Sequence, residues 1–423
     1  IDNAERASNV IATTEAALAE ISQLLVSVKS LIVEAANTGA FSQEEIEANQ
    51  LQLDSAVDSI TRISNSTSFA GLKLINGSLD YIVSGVNSSN IQDVKVFGAN
   101  FGTSTSIPVN VEVLASAQQA QLFLSGNTTG TFTSSVTFEV TGPKGVEVFS
   151  FVSGTALSAV AFSLNQTSDA TGVSASLASA TDQTSGLILR SAAYGTDSFV
   201  SVRKLQDGDF FRTFESNGGA QKQRDTGQDV LALVNGSLAI GDGTEVTVRS
   251  STVNMSLNLT TTAATASIPP TTHTFSITGG GANFQVGGKV DSSQQIGFGI
   301  QSVAASHLGN ETVGFLSSVV TGGDNSLVAG RQRQASDIVD ASIDQIAVLR
   351  GRLGAFERNT LDTTLRSQQV ALENLTASES DIRDADFAAE TSALTRAQIL
   401  VNAGTSTLGI ANSSAQSVLS LLG

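Results

Sequence analysis

The chain has 423 residues, 39 acidic against 22 basic side chains for a formal net charge of −17, and neither cysteine nor tryptophan. Such an acidic excess leaves no basic patch to release counterions from nucleic-acid phosphates, so nucleic acid is set aside as a partner. Without cysteine there is no disulfide framework and no thiolate metal site; no uninterrupted apolar run of about 18 residues and no signal peptide is visible, so no membrane insertion is expected.

In chain order, the first predicted element is a long helix from near Asp2. Ile11, Leu18, Leu25 and Ile32 interleave with Thr14, Ile21, Val28 and Ala35 in alternating steps of three and four, a heptad ladder that asks for a helical partner. Asn37-Thr38-Gly39 stops it. Ser42 followed by Glu45 predicts a capping box opening a second helix to about Ser64, with Ile46, Leu53, Val57 and Ile60 on its apolar face. The stretch Phe69 to Gly77 then reads as a short hairpin turning at Asn76-Gly77.

From Tyr81 to Asp324 the rhythm changes to the two-residue alternation of half-buried strands, as in Val94–Phe97, Val109–Val113, Ser135–Val140 and Glu245–Arg249. One helix interrupts, Thr155 to Asn165, with Leu157, Val160, Ala161 and Leu164 on one face. A break near Asp225-Thr226-Gly227 divides this middle into two β-rich modules, with Phe275 to Ile300 as the return path.

Helical periodicity resumes between Ile338 and Leu375. Its seam, Val339, Ile346, Leu349, Leu353 and Phe356, slips by one position to Leu361, Leu365, Leu372 and Leu375, which suggests a change of neighbour. At 1.5 Å per residue this helix would run roughly 55 Å, the geometry of a rod. The last stretch carries Leu394, Val401, Leu408, Ala415 and Leu422 every seven residues, with Val418 and Leu419 beside them, a stripe that needs cover from another helix or subunit. Gly404 and Gly409 and the lack of cover predict that Thr391 to Gly423 is poorly ordered until it assembles.

These spacings give an α+β chain: a long antiparallel coiled-coil-like helical rod from both ends, with a β-rich insert. The expected divisions are 1–80, rod helices and hairpin; 81–225, a first β-rich module with one helix; 226–325, a second module with return strands; 326–376, a rod helix; and 377–423, a C-terminal helix awaiting cover by another helix or subunit.

The ending SDIRDADFAAETSALTRAQILVNAGTSTLGIANSSAQSVLSLLG, with LLVSVKSLIVEAANTG and ISNSTSFAGLKLINGS near the start, resembles bacterial flagellins over roughly residues 1–80 and 335–423. The region Phe149 to Leu177 resembles an insert module of long flagellins. Ser413-Ser414-Ala415 departs from the Gln and Pro that many members carry there, and the family's first several tens of residues have no counterpart, so the chain is expected to lack the N-terminal segment. The resemblance implies an extracellular, secreted structural subunit of the flagellum, a helical homopolymer for motility. It further implies a secretion chaperone on the C-terminal helix, hook-associated and cap proteins as neighbours, and no cofactor. Rod packing would fall to Ile11, Leu18, Ile21, Leu25, Val28, Ile32, Leu53, Ile60, Ile346, Leu349, Leu353 and Phe356. Assembly and chaperone binding would fall to Leu394, Val401, Leu408, Val418, Leu419 and Leu422. The middle would then be dispensable, so that removing about Ser88 to Gly309 spares polymerisation. Many flagellins meet a Toll-like receptor through an Arg on the first rod helix; this sequence has Ser27 at that position and Lys29 at the second. A cell-surface adhesin or glycan-binding flagellin homologue and a hook–filament junction protein are the alternatives.

Catalysis finds little support. His273 and His307 stand without an HExxH or CxxC pattern, and Gly279-Gly280-Gly281 has no following Lys-Ser/Thr, so it reads as a turn. Asp384 and Asp386 read as a solvated face or as inter-subunit salt-bridge partners of Arg383 and Arg396. Asn127, Asn235 and Asn258 begin Asn-X-Ser/Thr triplets that carry little weight in so Ser/Thr-rich a sequence.

Overall fold

A computed structural model describes residues 2–125, 129–206, 212–266, 271–292, 294–384 and 386–423, with the side chain of Leu422 left out. Asn127 lies outside the described residues. The chain is α+β and falls into two compact units, Asp2–Arg358 and Asn359–Gly423.

In the first unit, helix α1 (Asp2–Ala35) lies against α2 (Gln43–Ser66) and α6 (Gln332–Phe356). The heptad ladder is the reason: Ile11, Leu18, Ile21, Leu25, Val28 and Ile32 are all buried, facing Leu53 and Ile60 of α2 and Ile346, Leu349 and Leu353 of α6, themselves buried. Helices α1 and α6 run antiparallel. Ser8 donates to Glu357 at 2.9 Å, Arg350 Nε to Glu15 at 2.8 Å, and Lys29 pairs with Asp340, so rising numbers on one helix meet falling numbers on the other. By length and composition α1 is apolar enough to cross a membrane, although charged residues interrupt its apolar run. Its apolar stripe is nonetheless the core of this three-helix bundle.

The capping box at Ser42 is present, with Glu45 N–H on Ser42 Oγ at 3.3 Å and Ser42 N–H on Glu45 Oε2 at 2.7 Å. The hairpin turn is misplaced in the sequence reading. Strands Ser68–Phe69 and Leu72–Lys73 turn at Ala70-Gly71, both at positive φ (49° and 86°), whereas Asn76 folds its side chain onto the Ser78 N–H.

Two β modules follow, and their connectivity corrects the expected division at residue 225. One module joins the sheet Ser237–Leu238, Leu231–Val234, Ile107–Ala115, Thr271–Gly280, Tyr81–Ser84 to the sheet Ile240–Asp242, Glu245–Arg249, Val253–Leu259, Ile91–Ala99, in those strand orders. Its core draws on Val109, Val111, Val113, Val246, Met255 and Phe275. The other module is nested inside it, with sheets Thr213–Phe214, Gln119–Leu124, Asp182–Tyr194, Val173–Ser179 and Arg224–Thr226, Phe199–Lys204, Val136–Thr141, Val146–Phe151. Helix α3 (Leu157–Gln166) closes that core with Leu157, Val160, Ala161 and Leu164, and the short α4 (Ser168–Thr171) follows. Residues 81–118 therefore pair with strands beyond 228, because half-buried strands need partners on the same sheet whatever their distance in sequence. The chain enters and leaves the nested module through one paired bridge, Gln118 and Gln228 exchanging both backbone hydrogen bonds at 2.8 and 2.9 Å.

After the short α5 (Thr261–Ala264), the glycine run Gly279-Gly280-Gly281 ends a strand beside Tyr81. A Cβ on Gly281, whose φ is +77°, would lie 2.4 Å from the Tyr81 ring, so the run serves close approach. The return path extends past Ile300 to the helices: Val303 N–H bonds Ile75 O, Ala305 N–H bonds Thr61 Oγ1, and Gly309 N–H bonds Gln345 Oε1. A cut from Ser88 to Gly309 would thus strip Ile300, Val303 and Leu308, all buried, from the helical body. Helix α6 ends in a π-helical turn, Glu357–Leu361, where the sequence seam slips.

The second unit holds α7 (Asp362–Arg383) and α8 (Phe387–Leu422). Thr391 to Gly423, expected to lack order, is helical through Leu422.

Candidate assembly surface

Helix α8 begins on Asp386, whose carboxylate accepts from the Ala388 and Ala389 N–H groups at 2.9 and 3.1 Å. Asp386 is therefore an N-cap, and its charge suits the helix N-terminus. Arg383 meets Glu379 one turn back at 2.6 Å, and Asp384 accepts from Ser380. With its start fixed, α8 runs for 36 residues, and every side chain described along it is exposed.

The heptad stripe of the sequence reading is on that surface: Leu394 is 57% exposed, Val401 64% and Leu408 71%, with Val418 and Leu419 open as well. A second stripe escaped that reading. Ile399, Ile410 and Leu421 are also exposed and recur every eleven residues, three helical turns, while Leu400 lies next to Ile399. At about 100° per residue, Ile410 points away from Val401 by about half a turn. The helix is apolar on two opposite faces, the pattern of a helix enclosed on several sides. Gly404 and Gly409 have open space where a Cβ would stand, so they weaken the helix without serving any contact of their own chain. Helix α7 buries no side chain either, and Val370, Leu372 and Leu375 are exposed on it.

The residues of α1, α2 and α6 expected to pack a rod are buried where these helices meet, with one difference. Phe356 is only half-buried and meets Phe298 and Phe284 at ring-centroid distances of 4.8 and 6.1 Å, beneath the hairpin Ala282–Gln285 and Gln295–Phe298. It joins the bundle to the β module, a role that heptad spacing could not reveal. Beside it Arg352 stacks over Phe97, and burial together with the nearby Arg249 charge pulls its pKa down to about 10. Ser27 is exposed on α1, its hydroxyl donating to Gln23 O at 3.1 Å, and Lys29 is paired with Asp340.

The two histidines belong to the first unit. His273 sits half-buried on the strand Thr271–Gly280 opposite Val111, its Nε2 enclosed without a partner, and burial lowers its pKa. His307 Nδ1 shares a hydrogen bond with Ser306 Oγ at 2.9 Å in the loop that returns to the helices.

Comparison with known proteins resolves the class. The family models for the bacterial flagellin N-terminal and C-terminal helical regions match residues 1–80 and 336–422, and that for the flagellin hook IN motif matches 135–193. The chain belongs to the bacterial flagellins. Flagellin from Salmonella typhimurium is 26% identical across 99% of this chain and 86% of its own length. Flagellin FlaB2 of Treponema pallidum is 42% identical, but over 26% of this chain and 41% of its own. Among solved structures, flagellar hook associated protein-3 from Legionella pneumophila aligns over 91% of this chain and 95% of its own at 12% identity, with a TM-score of 0.34. As a flagellin, the chain is a structural subunit of the flagellar filament.

Proposed function

We propose that this flagellin polymerises by enclosing α8 on both of its apolar faces between subunits, with the α1–α2–α6 bundle acting as a rod beneath outward-facing β modules. The observation that carries this reading is a helix of 36 residues whose described side chains are all exposed, although many are large and apolar. Each large side chain enclosed contributes about 1.5–3 kcal/mol, so a handful per subunit outweighs the helix-weakening glycines, about 1 kcal/mol each. Heterologous contacts of this kind, which need not close into a ring, extend into an open helical polymer. Before export the same stripe suits a secretion chaperone, and in the finished flagellum the neighbours are hook-associated and cap proteins. The function is mechanical, with no reaction, cofactor, nucleic acid or membrane insertion in it.

The experiment places a charge on each face in turn. Leu408→Asp and Ile410→Asp in the full-length protein should each abolish filaments seen by electron microscopy while leaving the melting of the body unchanged. Filaments from both variants at the parent's yield would refute enclosure of α8. A retained assembly in Ile410→Asp alone would reduce the reading to a single enclosed face.

A further inference from the structure

The sequence holds three Asn-Gly dipeptides, Asn76-Gly77, Asn217-Gly218 and Asn235-Gly236, and the fold treats them differently. Asparagine before glycine is chemically labile, because the glycine nitrogen, unshielded by a side chain, can reach the asparagine carboxamide carbon. How often it does so depends on whether the two groups are free to approach.

Two of the three are held. Asn235 and Gly236, at φ +50° and +78°, form the turn between Leu231–Val234 and Ser237–Leu238. Asn235 Nδ2 donates to Pro108 O at 3.1 Å and its Oδ1 accepts from the Asn110 N–H at 2.8 Å, so both ends of the carboxamide are tied to the strand Ile107–Ala115. Asn76 is half-buried, and its Oδ1 accepts from the Ser78 N–H at 3.1 Å. A Cβ on Gly77 would stand 3.3 Å from Ser302 Cβ, so the backbone that must move is packed.

Asn217 has neither restraint. It is exposed in a turn closed by Gly219 N–H on Ser216 O at 3.0 Å, with Gly218 at φ +80° and open space where a Gly218 Cβ would be. Among the described residues neither the Asn217 carboxamide nor the Gly218 N–H has a hydrogen bond. The hairpin beneath stands on backbone bonds, Glu215 N–H to Ala220 O at 3.0 Å and Lys222 N–H to Thr213 O at 2.9 Å, so it does not need that carboxamide.

We propose that Asn217 is a site of spontaneous deamidation. The Gly218 nitrogen gives up its proton to solvent and attacks Asn217 Cγ; the new Cγ–N bond closes a cyclic imide as the Cγ–Nδ2 bond breaks and ammonia leaves. Water then opens the ring. Cleavage of the Cγ–N bond leaves aspartate, and cleavage of the bond from that nitrogen to the Asn217 backbone carbonyl carbon leaves isoaspartate, linked through its side chain. Either product adds one negative charge to a chain whose formal net charge is already −17. The turn at Asn217 thereby records time since synthesis, while Asn76 and Asn235 are spared.

The test is peptide mapping by mass spectrometry after the full chain has been incubated in mildly alkaline buffer, once native and once in denaturant. In the native protein, conversion at Asn217 should run at least about ten-fold faster than at Asn76 or Asn235, and in denaturant the three rates should converge. The acidic form that accumulates on isoelectric focusing should be lost in Asn217→Gln, whose longer side chain closes the ring poorly. Native conversion at Asn217 no faster than at the other two overturns the proposal. A ranking that persists unchanged in denaturant does so as well, since its cause would then lie in local sequence and not in the fold. Accumulation of the acidic form in Asn217→Gln at the parent's rate would be equally decisive against it.

Discussion

His273 shows what one side chain does when a sheet encloses it. Its Nε2 is buried without a partner and burial lowers its pKa, so the folded β module disfavours the imidazolium that the unfolded chain accepts at an ordinary value near 6.5. The unfolded state therefore binds more protons as pH falls through 6.5 and below, and stability present above that range is lost on acidification. His273→Phe should flatten this loss: melting temperatures measured between pH 7.5 and 5 should fall less in the variant than in the parent. Parallel curves would show that the acid limb belongs to other groups. Ser27 is the second residue-scale case. An exposed hydroxyl turned onto its own helix backbone offers no planar, multi-donor cation, and Lys29 beside it is engaged by Asp340. We predict weak Toll-like receptor signalling in a reporter-cell assay, raised by Ser27→Arg. Parent potency equal to that of an Arg-bearing flagellin would contradict this.

At the scale of elements, the sequence was most legible where one period ran long enough to be counted. The ladder from Ile11 to Ile32, the capping box at Ser42 and the face of α3 each match what is buried or bonded. Failures came where two signals competed. Asn76-Gly77 is a strong turn dipeptide, yet Gly71 already supplies the positive φ that a two-residue turn requires, and the hairpin closes there. The second stripe of α8 was missed because a search for sevens passes over Ile399, Ile410 and Leu421, which repeat in elevens. For Thr391 to Gly423 the sequence reading weighed Gly404 and Gly409 and not the Asp386 cap, which satisfies N–H groups left without intrahelical partners at the start of α8.

For the molecule as a whole, the sequence shows strands but not which strands meet. The break at Asp225 is real, since Arg224–Thr226 closes the nested module, but no local pattern announces that Ile107–Ala115 pairs with Leu231–Val234 and Thr271–Gly280. Nesting makes a prediction that a linear division would not. Replacing Gln119–Gly227 by Asn-Gly, so that Gln118 and Gln228 flank a two-residue turn, should leave the parent sheets folded, with one cooperative melt. A chain without strand signal by circular dichroism would show instead that the nested module is needed for its host to fold.

That Gln118–Gln228 bridge also bears on how such chains diversify. Genetic recombination that exchanges the segment between these two codons inherits a closed core at both ends, and it breaks only side-chain and loop contacts such as those of Asp229 with Thr196. A crossover between Val140 and Val173 instead parts strands from their sheet partners and leaves buried ladders unpaired. Viable chimaeras should therefore cluster at the bridge. Such a chimaera exchanges the nested module as a single cassette, while the helices α1, α2 and α6 keep the partners they have now.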